Sequence, residues 1–323
     1  MNVSILITTY NCAHYIEQAI KSILNQTHKD FELLIINDGS SDNTEEIVSS
    51  FKDSRIRYIY RKHIGRSATL NFGLKLASAD IIALMDADDI AHPERLEKQL
   101  KLMNRKENKI CFTSAAYFSG KNFKIKFLSD TVIPKDFNKV IALHGFFCNS
   151  TMMFHKNHIL KYTYDESLHS SEDYHLFLRI KDNSEFYLIP EILVFARLRK
   201  LSLSESLYSS NGNIVYKIQE HFYEDLSKSF GIADFKEQLK LKGWREFFYG
   251  SKNLARKYWL NTGLKNWNLK LTFSFLLSLF PEKYFEFIKD KKVRLRINYY
   301  IEKLFLGNKI QIEFNKICRM ISE

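Results

Sequence analysis

Three short runs of the chain are apolar without alternation: residues 3–9 (VSILITT), 31–36 (FELLII) and 81–85 (IIALM). A strand open to water on one face alternates, so unbroken runs of this length mark strands covered on both faces, as in parallel sheets. Between them the period changes. Residues 13–25 put Tyr15, Ile16, Ala19, Ile20, Ile23 and Leu24 on one helical face, and 67–77 reads as a further helix. Residues 37–44 (NDGSSDNT) form a turn whose Ser, Asp and Asn side chains can cap a helix over 44–51. A third short strand follows at 56–60. Pro93 suits a first helical position ahead of 94–104, where Leu96, Leu100 and Met103 share a face. Strands and helices alternating in this way predict an α/β fold, a mostly parallel sheet flanked by helices.

Beyond residue 105 the rhythm is mixed, with strands expected over 110–117, 151–154 and 193–198 and a helix over 170–180. From about 204 the spacing is helical to the end, broken at Gly231, Gly243, Gly263, Pro281 and Gly307. The expected organisation is a domain over 1–203, in halves 1–105 and 106–203, followed by a helical C-terminal region over 204–323.

Polar groups gather where the strands finish. The run at 81–85 ends in Asp86, Asp88 and Asp89, and in open α/β sheets the carboxyl edge opens into the binding crevice. Carboxylates this close repel one another and call for a cation; hard oxygen ligands suit Mg²⁺ or Mn²⁺ completed by a substrate phosphate. A solvated acidic turn ahead of a helix would look the same. The first strand ends in Thr8, Thr9, Tyr10 and Asn11, and the second in Asp38. Asp38 in Asp-Gly-Ser is an ordinary turn cap; three such endings on one edge suit a nucleotide, with Asp38 accepting from a base N–H, Asp86 near the ribose and Asp88 holding a metal on a diphosphate.

A formal net charge of +11 predicts attraction to anions without choosing among phosphates, nucleic acid and an acidic membrane face. Cys12, Cys111, Cys148 and Cys318 show no zinc or C-x-x-C spacing, so reduced thiols are expected. Neither a P-loop nor G-x-G-x-x-G occurs. The first residues carry no basic signal region, and the longest apolar stretch, 271–280, is half the roughly 20 residues of a spanning helix, so a cytoplasmic protein is expected.

VSILITTYN, INDGSSDNT, GRSATLNFGLKLA and DADDIAHPERLEKQL, in that order, resemble family 2 of the inverting glycosyltransferases, which have the GT-A nucleotide-diphospho-sugar fold. The resemblance is strong over 1–105 and weaker to about 204. It implies that 1–105 is the nucleotide-binding half and 106–203 the acceptor half. It further implies that Thr9 and Asp38 contact the base side, that Asp86 meets the ribose or diphosphate, and that Asp88 holds the cation. Arg66 and Asn71 would be further nucleotide-sugar contacts. Ser171-Glu172-Asp173-Tyr174 is similar to the family's E-D motif, so Asp173 is the expected base and Glu172 its orienting partner. Acids in a first helical turn are also ordinary capping. Residues 195–202 resemble a segment where relatives place Tyr-Arg-x-His; Arg199 stands at the His position, unable to ligate a metal but able to grip a pyrophosphate bidentately. Asn149 to Phe154 falls where the family lines the acceptor side, and could equally be core.

The expected activity is therefore a metal-dependent inverting transfer of sugar from a nucleotide-diphospho-sugar, UDP-linked, to a glycan or lipid-linked acceptor in bacterial surface polysaccharide or lipopolysaccharide synthesis. A sugar-nucleotide pyrophosphorylase should carry a Gly-rich, Arg-bearing loop where Thr8 to Asn11 stand. A non-catalytic binding module is the remaining alternative; no nucleic acid partner is expected. Aromatic and basic residues over 270–296 suit either an interfacial helix on an anionic membrane or a stripe packed on the catalytic domain.

Overall fold

The computed structural model describes residues 2–103, 106–119, 124–128, 148–199, 243, 252–262, 275 and 309–322. The chain forms two compact units: Met1–Ile133 with Phe147–Arg199 and Asn298–Glu323, and Pro134–Phe146 with Lys200–Ile297. In the second unit one helix, α7 (Lys252–Asn261), is described over more than isolated residues. The aromatic and basic stretch over 270–296 lies, except for residue 275, outside the described residues.

Among the described residues the first unit is built on a nine-stranded sheet in the order β3-β2-β1-β4-β8-β6-β9-β5, with β7 beside β6. Strands β1 (Val3–Thr9), β2 (Phe31–Asn37), β3 (Ile56–Tyr60) and β4 (Ile81–Asp86) are parallel neighbours. All seven residues of β1 are buried, which is why it lacks polar alternation. The chain winds outward from β1 through α1 (Ile16–Leu24) to β2 and through α2 (Thr44–Ser50) to β3. It returns through α3 (Arg66–Leu76) to β4 on the far side of β1. That reversal is a topological switch point, and a crevice opens outside the carboxyl ends of β1 and β4. Gly73 lets α3 approach the sheet closely: a Cβ there would lie 2.5 Å from Leu6 Cδ1 and 3.3 Å from Ile36 Cγ1.

The other half is antiparallel at its junction. β8 (Met153–His155) runs against both β4 and β6 (Lys109–Ser119), while β9 (Glu185–Arg197) is parallel to β6 and antiparallel to the two-residue β5 (Ile90–Ala91). β9 starts well before residue 193, where the apolar run alone places it. Pro190 hides its first part; the register with β6 jumps from Thr113↔Ile189 to Ser114↔Ile192, so the proline occupies a bulge, the one place inside a sheet that does not need its missing N–H. β7 (Lys124–Leu128) and β5 are too short or too isolated to read from pattern. The helix expected over 94–104 is α4 (Arg95–Leu100), followed by α5 (Lys156–Leu160) and α6 (Glu172–Ile180).

The last described element, α8 (Lys309–Ser322), belongs to this unit. Phe314 is fully buried, stacked on Phe195 at 4.1 Å between centroids and tilted against Phe118 at 4.8 Å, with Ile317, Cys318 and Ile321 beside it. Glu313 pairs with His92 at 3.0 Å. This helix closes the apolar face of β9 and β5. Phe314→Ala is therefore expected to cost about 3–5 kcal/mol in a urea unfolding series; a loss below about 1 kcal/mol would mean that α8 is not seated there.

Candidate active site

Each strand end is fixed by a separate set of bonds. At β1, Asn11 adopts φ 52° and its side-chain oxygen accepts from Ser41 N at 2.8 Å, while its own N–H donates to Ser40 Oγ at 2.9 Å. The Ala13 N–H donates to Asp42 at 2.9 Å, so the turn after β1 is tied to the turn after β2. Thr8 and Thr9 are buried on this edge, and Thr8 sits in register with Asp86. Tyr10 is 49% exposed, its ring stacked on His63 at 4.4 Å. Asp38 is buried; its carboxylate accepts from Ile64 N at 2.9 Å and Gly65 N at 3.0 Å and meets His63 Nδ1 at 2.8 Å. Asp38 thus anchors the loop entering α3, which leaves it fewer lone pairs for a nucleotide base than an exposed carboxylate would offer. Gly39 is needed beside it: at φ +78° a Cβ would lie 2.7 Å from His63 N.

At β4 the three acids are separated by what holds them. Asp86 Oδ1 accepts from Arg66 Nη2 at 2.7 Å. Burial pushes its carboxyl up, but the charge and hydrogen bond of Arg66, with Asn149 and Arg199, bring it below the ordinary range. Asp88 Oδ2 pairs with Arg199 Nε at 2.6 Å. There burial prevails, and with the nearby charge of Asp86 it holds the Asp88 carboxyl above its ordinary value despite Arg199 and Arg197. Asp89 is buried and raised further, by burial first and then by the charges of Asp88 and Asp86. Its oxygens are satisfied by Ser150 Oγ at 2.5 Å and the Arg197 N–H at 2.8 Å, while the Asp86 N–H donates to the same Ser150 hydroxyl at 2.9 Å. Asp89 is therefore a brace that ties β4, β9 and the 3₁₀ turn Asn149–Thr151 together. That places Asn149 and Ser150 at the acid cluster and Met152, Met153 and Phe154 in the core, all three fully buried.

Glu172 and Asp173 open α6 immediately after Ser171, which adopts φ 59°. Among the described residues the non-glycine positions with positive φ are Asn11, Thr163 and Ser171; such backbone stores strain and clusters at functional sites, and Asn11 and Ser171 stand beside the polar groups at the end of β1 and the start of α6. Glu172 is buried and accepts from Arg66 Nε at 2.7 Å. One guanidinium therefore spans Asp86 and Glu172, joining the nucleotide-side strand end to the E-D helix. Asp173 is half-buried and accepts from the Tyr174 N–H at 2.7 Å. Asn71 acts from the same helix as Arg66: its amide donates to Tyr164 O at 2.9 Å and to Glu166 at 2.9 Å and accepts from Tyr164 N at 2.8 Å. The expected sugar contact Asn71 thus clamps the loop that leads to Glu172. The Ser67 hydroxyl, donating to Leu168 O at 3.0 Å, does the same.

Several residues here escape pattern reading. Arg197 reads as a solvent-facing strand residue, yet its Nε donates to Asp88 O at 2.8 Å and its Nη2 to Gln18 at 2.6 Å. Arg95 is fully buried, donating to Leu84 O at 2.9 Å and to Gln99 at 3.0 Å; burial lowers its pKa to about 10. Its sequence signal is faint: it shares a helical face with Leu96 and Gln99. Tyr164 is buried beside the E-D pair; burial, then the charges of Asp173 and Glu172, push its phenol up.

No group of three or more His, Cys, Asp or Glu among the described residues could hold a metal ion. Asp86 and Asp88 nonetheless offer two crowded hard carboxylates at one strand end. Like charge and burial raise Asp88, and a dication relieves both. The pair fits a cation that completes its shell with phosphate oxygens and water.

A family model described as Glycosyl transferase family 2 matches residues 4–167, and the chain belongs to that family. It is 35% identical over 213 residues, 65% of this chain and 80% of the relative, to the UDP-Glc:alpha-D-GlcNAc-diphosphoundecaprenol beta-1,3-glucosyltransferase WfgD of Escherichia coli. It spans 36% and 64% of the lengths of two uncharacterized glycosyltransferases of Rickettsia conorii and Rickettsia typhi. S. aureus TarS 1-349 in complex with UDP-GlcNAc superposes with a TM-score of 0.58 at 16% identity, covering 95% of this chain and 92% of that one. The mannosyltransferase PcManGT from Pyrobaculum calidifontis, in complex with GDP-Man and Mn2+, superposes with a TM-score of 0.56 at 15% identity, covering 94% and 87%. The fold is GT-A-like.

Because Asn71 serves the loop before Glu172, Asn71→Leu is expected to destabilise the protein by about 1–3 kcal/mol for each stranded backbone group of Tyr164. An unchanged thermal unfolding curve would show that the clamp is not formed.

Proposed function

We propose that this chain transfers a sugar, with inversion, from a nucleotide-diphospho-sugar to a glycan or lipid-linked acceptor in bacterial surface polysaccharide synthesis. The observation that carries the reading is the Arg66 bridge, which sets Asp86 at the donor strand end and Glu172 of the E-D pair on one guanidinium. The relatives support a UDP-linked donor: WfgD is named for UDP-Glc, and TarS was solved with UDP-GlcNAc. WfgD is also named for a diphosphoundecaprenol acceptor, which supports a lipid-linked acceptor, and in this reading the chain works in the cytoplasm, peripherally at the inner face of the membrane. No helix among the described residues is long and apolar enough to cross a membrane.

In this reading the donor lies across the ends of β1, β2 and β4, its base near Tyr10 and Asp38 and its diphosphate toward Asp86 and Asp88. Asp88, with Asp86, would hold a divalent cation, which when bound offsets charge on the diphosphate; PcManGT, solved with Mn2+, supports that requirement. Asp173 accepts the proton of the acceptor hydroxyl as it attacks the anomeric carbon from the face opposite the diphosphate. Glu172, held by Arg66, fixes the start of α6 so that Asp173 faces the crevice. Arg199 offers its guanidinium to the departing diphosphate.

Two variants separate binding from chemistry. Asp173→Asn is expected to keep UDP affinity while cutting turnover on the order of 10²- to 10⁴-fold in a donor-consumption assay; near-normal turnover would place the base elsewhere. Asp88→Asn is expected to abolish the Mn²⁺-dependent part of UDP binding by calorimetry, and an unchanged titration would remove Asp88 from the cation.

A further inference from the structure

The acids at the end of β4 carry their own counter-ions. Arg66 donates to Asp86 at 2.7 Å, and Arg199 forms an ion pair with Asp88 at 2.6 Å without a directed hydrogen bond from its Nε, each through one oxygen of the carboxylate. The two arginines are held differently. Arg66 also pairs with Glu172 at 2.7 Å, so leaving Asp86 would disturb a second carboxylate. Arg199 touches no second carboxylate among the described residues: its Nη1 donates to Cys12 Sγ at 3.7 Å and its guanidinium lies 5.4 Å from the Tyr15 ring centre, while Asp86 feels its charge from beyond contact. The backbone just before it is anchored, which keeps its side chain within reach of Asp88. Arg197, two residues earlier, is fixed through its N–H to Asp89 and its side chain to Asp88 O and Gln18, and the Leu198 N–H donates to Phe118 O at 2.8 Å.

We propose that Arg199 and a divalent cation compete for Asp88, so that the free protein binds the cation weakly and takes it up together with the donor diphosphate. The inference rests on the donor site proposed above. A guanidinium on Asp88 Oδ2 withdraws that oxygen from metal coordination and sets a positive charge beside any incoming dication. A diphosphate reverses both effects. Its oxygens match the planar fork of arginine at least as well as a carboxylate does, so Arg199 moves to the phosphates and Asp88 turns to the cation. Every charge keeps a partner through the exchange. Arg66 stays, because Glu172 holds it. Cation and nucleoside diphosphate then strengthen each other's binding by the same factor.

The test is calorimetry of the full chain with Mn²⁺ alone, with UDP alone, and with each titrated into the other's complex. Wild type is expected to bind Mn²⁺ at least about tenfold more tightly with saturating UDP than without it. Arg199→Gln is expected to tighten Mn²⁺ binding to the nucleotide-free protein by roughly tenfold and to shrink the coupling. In an Asp88→Asn background the same change should have no such effect, because the contested carboxylate is gone. Equal Mn²⁺ affinity in wild type and Arg199→Gln would overturn the inference, and so would a tightening that persists in the Asp88→Asn background, since that would be a general charge effect. A wild-type chain that binds no UDP under any condition would instead refute the donor site itself.

Discussion

Arg66 is the interaction on which the rest of the site depends. It stands at the first position of α3 and reaches a carboxylate in each direction, Asp86 at the end of β4 and Glu172 at the start of α6, both at 2.7 Å. Asp86, Asp88 and Asp89 crowd the end of β4, where each feels the charge of the others, and Glu172 is joined to them through Arg66; like charges this close need counter-charge. The fold supplies that counter-charge from three elements: Arg66 from α3, Arg197 from the end of β9 and Arg199 just beyond it. Removing one member of a buried pair strands the other charge, a larger loss than the pair's own net contribution.

The sheet explains why these groups can meet. The parallel half ends its strands in polar turns on one edge, and the switch between β1 and β4 opens that edge. The antiparallel return through β8 brings Asn149 and Ser150 under the same edge, and α3 packs tightly against β1 and β2 because Gly73 has no side chain. From that position Ser67 and Asn71 fasten the loop ahead of α6 to the nucleotide-side half. The strand ends and the start of α6 thus share one rigid support, which an in-line displacement of the kind proposed here would need.

Much of this is legible from residues alone. The buried strands betray themselves by missing alternation, and Asp86 and Asp88 stand at a strand end where a crevice is expected. What stays hidden depends on long-range pairing. Pro190 masks the first half of β9 because a bulge that tolerates proline is invisible without its partner strand. Asp89 has no role that its sequence position announces, and it is a buried brace because its partners, Ser150 and Arg197, lie about 60 and 110 residues away. Asn71 lies in a segment whose resemblance implies a sugar contact, and both ends of its amide serve the backbone of Tyr164, a role that only the fold reveals. Arg95 reads as an ordinary helix residue, and nothing local announces that it is fully buried.

The central claim is that a donor diphosphate and a cation meet Asp88 on the side of the Arg66 bridge that faces Asp173. Its most direct test is a crystal grown with UDP and Mn²⁺ and measured at the manganese edge. The account predicts a single anomalous peak coordinated by Asp88 and the diphosphate, with Arg66 still joining Asp86 to Glu172. A peak away from the β4 end, or a nucleotide bound in a cleft that excludes Asp173, would contradict it.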